Sequence, residues 1–180
     1  DQHYAQVNEL DNITVSYSDK ADNPDLRHTS LKSILTQIKR DTELKRIVDA
    51  IRSEPDKDER TKLKEENLPY FVLGTFKNNY RNSQNLISTQ FISIDFDDLN
   101  GNAYELDEKL RSDKNVFSFF KSPSNNRKVI YKLDKPITDH QQFTDVYKHY
   151  AGLFKIDLGA KPDKTSDAGR PCYFSYDPNL

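Results

Sequence analysis

The chain has 180 residues, enough for one domain with a true core, and it carries 27 basic against 29 acidic residues, a net charge of -2. That balance excludes a uniformly basic nucleic-acid binder while leaving room for a local basic groove. Ten Phe and ten Tyr exclude wholesale disorder, and the lone Cys172 excludes an intramolecular disulfide and a cysteine zinc site and fits a reducing, cytoplasmic compartment.

Residues 1–28 are polar, with one short strand candidate at Ile13 to Tyr17. Leu31, Ile34, Leu35 and Ile38 then fall at i, i+3, i+4 and i+7, which predicts a helix capped by Thr29 or Ser30. Leu44, Ile47, Val48 and Ile51 repeat the spacing after Asp41. The run SEPDKDERTKLKEEN, 53 to 67, has no apolar stripe and reads as a solvated connector. Residues 1–67 are thus expected to form a helical extension, and 68–180 the core.

Tyr70 to Phe76 reads as a strand containing Gly74, a bulge or a close backbone contact. Further strands are expected at Gln90 to Asp97, Val116 to Phe120, Lys128 to Leu133 and Cys172 to Tyr176. Ala103 to Ser112 predicts a helix, and SPSNNR a turn. A last helix opens at Thr138, with Gln141 three residues on as a capping box. From residue 90 the order is β-α-β-β-α-β, the ferredoxin-like or RRM-like arrangement of an α+β fold. In that fold the first and third strands are neighbours, both helices cover one sheet face, and the other face stays open.

Side chains alternate across a strand. Ile92, Ile94 and Phe96 therefore face the helices, and Ser93, Asp95 and Asp97 face the other way. On the third strand Lys128, Ile130 and Lys132 share that second face. Two carboxylates and a lysine should meet there. Neighbouring anions repel unless a cation lies between them, and Mg²⁺ or Mn²⁺ takes such oxygen ligands together with substrate phosphates. An EF-hand loop is excluded, because Leu99 holds the fifth place counted from Asp95. No GxxxxGK phosphate loop occurs. No apolar run is long enough for a membrane span, and with no signal peptide and no Met the chain reads as a piece of a longer one.

Four stretches taken in order resemble the VirE-N or BT4734-like N-terminal domain family of mobile elements, assigned to the archaeo-eukaryotic primase superfamily. They are LPYFVLGTF at 68–76 with Arg81 after it, ISIDFDD at 92–98, KSPSNNRKVIYKL at 121–133, and YAGLFKIDLGAKPDKTSDAGRPCYFSYDPN at 150–179. The resemblance spans roughly residues 15–179. It implies an RRM-like catalytic core, with Asp95 and Asp97 as the Asp-x-Asp metal ligands. It also implies a loop with Ser122 and Ser124 running into Lys128, then a lone aspartate, Asp157, followed by Arg170. Asp163 and Asp167 are rivals for the place of Asp157.

By the same resemblance Ser122, Ser124, Lys128 and Arg170 would hold a nucleoside triphosphate. The reaction would be nucleotidyl transfer on a single-stranded DNA template, with a fused or associated helicase as partner. The family's serine loop carries glycines where this chain reads SNNRK. Asn125 and Asn126 tolerate a left-handed backbone better than most residues, and Arg127 is a candidate phosphate ligand. The alternative is a DNA-binding or replication-initiation module without catalysis. A plain RRM-type RNA binder would place base-stacking aromatics where Asp95 and Asp97 stand.

Overall fold

The computed structural model describes residues 12–97, 99, 101–153, 161–163 and 166–180. The fold is α+β, and both of its sheets are antiparallel. Strands β1 (Thr14–Ser18) and β2 (Arg27–Ser30) lead into helices α1 (Leu31–Arg40), α2 (Thr42–Ser53) and α3 (Lys57–Asn67). Ser30 caps α1 by accepting from the Ser33 amide at 3.1 Å. Asp41 caps α2 at Glu43 and Leu44. The stripe Leu31, Ile34 and Ile38 is buried, as is Leu44, Val48 and Ile51. Helix α3 corrects the expected connector. It has no buried residue, and Asp56 starts it by accepting from the Asp58 and Glu59 amides at 2.9 Å each.

The strand expected at Tyr70 to Phe76 is two strands in two sheets. β3 (Tyr70–Val72) joins β1 and β2 in a four-stranded sheet completed by β9 (Cys172–Tyr173), and β4 (Gly74–Phe76) joins a second sheet of order β4-β5-β7-β6, with β5 at Leu86–Asp97, β6 at Val116–Lys121 and β7 at Arg127–Ile137. Gly74 makes the crossing: a Cβ there would come within 2.9 Å of the Ser88 carbonyl oxygen. In the second sheet β5 and β7 are paired at the centre, as the split βαβ order requires. Helix α4 (Ala103–Ser112) spans the predicted residues. Helix α5 (His140–Leu153) is capped by Asp139 rather than Thr138: the Asp139 carboxylate accepts from the Gln142 amide at 3.0 Å. Strand β9 (Cys172–Tyr173) is shorter than expected and pairs with β3 instead of β5. The place beside β5 goes to β4 and to the two-residue β8 (Lys161–Pro162).

Two apolar cores flank the second sheet. Ile92, Ile94, Phe96, Val129 and Tyr131 pack against Leu106 and Leu110 of α4 and Phe143 and Tyr147 of α5. The opposite face is not open, which corrects the ferredoxin-like expectation. Phe91, Phe120 and Ile130 on that face are buried with Ile34, Ile38 and Val48 of α1 and α2. The apolar stripes of those two helices need a partner, and this face is it. At the rim, β6 is the sheet edge. Its last residue is tied down: the Lys121 amide donates to Asp177 at 2.8 Å, and the Lys121 carbonyl accepts from the Ser175 hydroxyl at 2.6 Å. Among the described residues no helix is long and apolar enough to cross a membrane.

Candidate active-site cleft

The register of β5 against β7 puts Asp95 directly opposite Lys128, on the shared face that alternation predicts. Their side chains form an ion pair at 2.5 Å. Lys128 is only 8% exposed. Burial by itself would lower the proton affinity of its ammonium, but Asp95 outweighs that and holds the group above the ordinary lysine value. Arg170 reaches the other Asp95 oxygen at 3.3 Å and Asp163 at 2.5 Å. Burial likewise opposes the charge on Arg170, and the two carboxylates again overcome it.

Two residues on, Asp97 lies where β5 runs out. One of its oxygens accepts from the Asn126 side-chain Nδ2 at 2.7 Å. The loop that carries Asn126 is a closed turn. The Ser122 amide donates to the Asn126 carbonyl at 2.9 Å. The Ser122 hydroxyl accepts from the Ser124 amide at 3.3 Å and the Asn126 amide at 3.1 Å, so Ser122 shapes the loop. Asn125 takes the left-handed conformation, φ 65°, which the missing glycine would otherwise supply. The start of the loop is held from α2, where Arg52 donates to the carbonyls of Lys121 at 3.3 Å and Ser122 at 3.0 Å.

Asp95, Asp97, Ser122, Ser124, Lys128 and Arg170 line one cleft of about 660 Å³. Asp157 lies outside the described residues. Of its two rivals, Asp163 stands beside Asp95: its amide donates to the Asp95 carbonyl at 2.8 Å, and Arg170 joins the two carboxylates. Asp167 shapes its own loop by accepting from the Gly169 amide at 2.8 Å and the Ser83 hydroxyl. Arg127 is spent on a two-pronged pair with Asp107 of α4, at 2.6 and 2.8 Å. Arg81 is also structural. It donates to the Tyr70 hydroxyl at 2.9 Å and the Ala21 carbonyl at 3.0 Å.

Three basic cleft residues escaped the sequence reading, namely Lys57, Arg60 and Lys64 of α3. The signal available for their helix was the Asp56-x-x-Glu59 capping pattern. The cleft therefore has six basic residues, the three of α3 with Arg127, Lys128 and Arg170, around Asp95 and Asp97. Among the described residues no three acidic, His or Cys side chains are spaced to cage a metal. As the residues stand, Lys128 and Arg170 hold the two oxygens of Asp95 and Asn126 holds one of Asp97, so a divalent ion here would replace those partners and draw its remaining ligands from water and substrate phosphates.

Comparison with curated proteins and with solved structures finds no match. The family described as BT4734-like, N-terminal domain, matches residues 63–180, which includes every described cleft residue from Lys64 onward, and the chain belongs to that family.

Proposed function

We propose that this chain is the catalytic domain of a cytoplasmic primase-polymerase, a nucleotidyltransferase that extends a 3′-hydroxyl on a single-stranded DNA template of a mobile element. The observation that carries the reading is the meeting in one cleft of Asp95, Asp97, Ser124, Lys128 and Arg170. The resemblance to the primase superfamily supplies the reaction class. The cleft supplies its two needs, carboxylates and phosphate-seeking cations, on rigid supports.

Asp95 and Asp97 would hold Mg²⁺ or Mn²⁺, with the third ligand drawn from Asp157 or Asp163. When bound, the metal supplies activation of the attacking hydroxyl and charge stabilisation of the departing pyrophosphate. Lys128 and Arg170 neutralise Asp95 as the residues stand. Both turn to triphosphate oxygens when the carboxylates take another cation, so no buried charge is left unpaired. Ser124 offers a hydroxyl from the middle of the loop. A helicase, fused or associated, would open the duplex for this domain.

A second reading, a DNA-binding initiation module without catalysis, draws on the same Asp95 clasp, which in a retired site would simply be a structural ion pair. Extension of a primed template and de novo synthesis, with labelled nucleotides and Mg²⁺ or Mn²⁺, separate the two. We expect synthesis by the wild type, and a loss of at least about 100-fold in Asp95→Ala and Asp97→Ala. DNA binding with no synthesis under either metal would sink the transferase reading in favour of the module.

A further inference from the structure

Helix α3 makes little sense as packing. Its 11 residues include none that is fully buried, and a single apolar side chain, the half-buried Leu63, joins it to the second core. Its charges are nevertheless sorted. Lys57, Arg60, Thr61 and Lys64 fall at i, i+3, i+4 and i+7, and all four line the cleft. The helix's acidic residues, Asp58, Glu59, Glu65 and Glu66, do not line it and are exposed. The fourth basic residue of the helix, Lys62, pairs with Glu59 outside the cleft, so the sorting is on the cleft face, which holds three cations of α3 and none of its carboxylates.

Lys64 carries the argument. Its ammonium lies 3.3 Å from the Ser124 hydroxyl oxygen and 6.0 Å from the centre of the Tyr173 ring. Among the described residues no carboxylate lies within ion-pair distance of it, whereas Lys128 and Arg170 both have one. Lys64 is half-buried, and burial together with the nearby Arg60 pushes its proton affinity below that of an ordinary lysine. A partly desolvated cation with no carboxylate in contact, and with Asp97, Glu65 and Asp95 offsetting the cost only in part, is costly unless an anion arrives. Lys57 and Arg60 stand in the first turn of α3, where the helix dipole disfavours cations, which again suits an anionic visitor. The stripe runs about 10 Å along the helix axis, a span for a polyphosphate rather than a single phosphate.

We propose that Lys64, backed by Arg60 and Lys57, grips the triphosphate of the incoming nucleotide from the side opposite Lys128 and Arg170. Helix α3 and the 122–128 loop are then the two walls of one polyphosphate seat. The inference rests on reading the cleft as a triphosphate site, and it adds a wall that the family's motifs do not include. Lys64 and Ser124 converge on one spot, which favours the compact triphosphate over the spaced phosphates of a strand.

The test titrates dATP, ATP and inorganic tripolyphosphate calorimetrically into wild type, Lys64→Gln, Lys64→Arg and the double variant Lys57→Gln/Arg60→Gln. A labelled single-stranded oligonucleotide is followed in parallel by fluorescence anisotropy, and thermal unfolding checks that each variant folds. We expect Lys64→Gln to weaken all three polyphosphates about tenfold, Lys64→Arg to retain most of the affinity, and oligonucleotide binding to move by less than about twofold. The double variant should show a smaller loss of the same kind. Unchanged polyphosphate affinity in Lys64→Gln, or no polyphosphate binding by the wild type, overturns the proposal. So does a loss confined to the oligonucleotide, which would assign α3 to a strand. Lys64-dependent binding without any nucleotide incorporation would leave this proposal standing and defeat the transferase reading alone.

Discussion

The two faces of the β5–β7 pair come from the same two strands and do opposite jobs. On the side of α4 and α5, Ile92, Ile94 and Phe96 meet Val129 and Tyr131, and all five are buried in one apolar core. On the other side the pair begins apolar, with Phe91 and Ile130 under α1 and α2, and within four residues of Phe91 it has become Asp95 facing Lys128. The dry face holds the backbone in place. The mixed face can then keep a charged pair partly out of water, an arrangement that is tolerable only while both partners remain.

Removing one partner is the hardest blow to this contrast. Asp95→Ala strands the ammonium of Lys128 at 8% exposure. We expect a loss of about 3–5 kcal/mol in urea denaturation, besides the loss of synthesis. A change under about 1 kcal/mol would mean that the pair is hydrated in solution and the two faces are alike. On the dry face, Ile94→Ala should cost about 2–4 kcal/mol by leaving a cavity, while nucleotide affinity at 25 °C stays at the wild-type level. If affinity fell in step with stability, the faces would not be separable.

A milder probe is Asn126→Ala, which removes the 2.7 Å bond to Asp97. It should cost about 1 kcal/mol in stability and loosen the loop, read as faster backbone amide exchange at residues 122–127. The finest probe is pH. Lys64 loses its proton below the ordinary lysine value of 10.5, because burial and Arg60 disfavour its charge while Asp97, Glu65 and Asp95 oppose them only in part. Tyr173 beside it is pushed upward by burial and does not titrate first. Anion binding needs the charged amine, so tripolyphosphate affinity should fall as pH rises toward 10.5 in the wild type and stay flat in Lys64→Arg. The same slope in both would place the titrating group elsewhere.

What could be read from the sequence was the local pattern. Alternation, with the β-α-β-β-α-β order, put Asp95 and Lys128 on one face of neighbouring strands, and the residues of α4 stood where helical spacing put them. Two kinds of information were missing. The first is pairing choice: the spacing of Cys172 and Tyr173 says strand, and nothing in it says that the partner is β3 rather than β5. The second is long-range cover. Local alternation placed a single apolar residue, Ile130, on the supposedly open face; Phe91 and Phe120 share that face, and the three build a second core with the stripes of α1 and α2. Helix α3 escaped because apolar periodicity cannot see a helix with one apolar residue, Leu63. The Arg127–Asp107 clasp joins residues twenty apart, which no local spacing reveals.

The fastening at the end of β6 has a bearing on solution behaviour. A rim strand with unclaimed amides and carbonyls invites a stranger's strand to continue the sheet, the first step toward fibrils or swapped dimers. Here the final rung is already claimed from within, by the carboxylate of Asp177 and the hydroxyl of Ser175. A neighbouring molecule that tried to add itself at Lys121 would first have to peel that segment away.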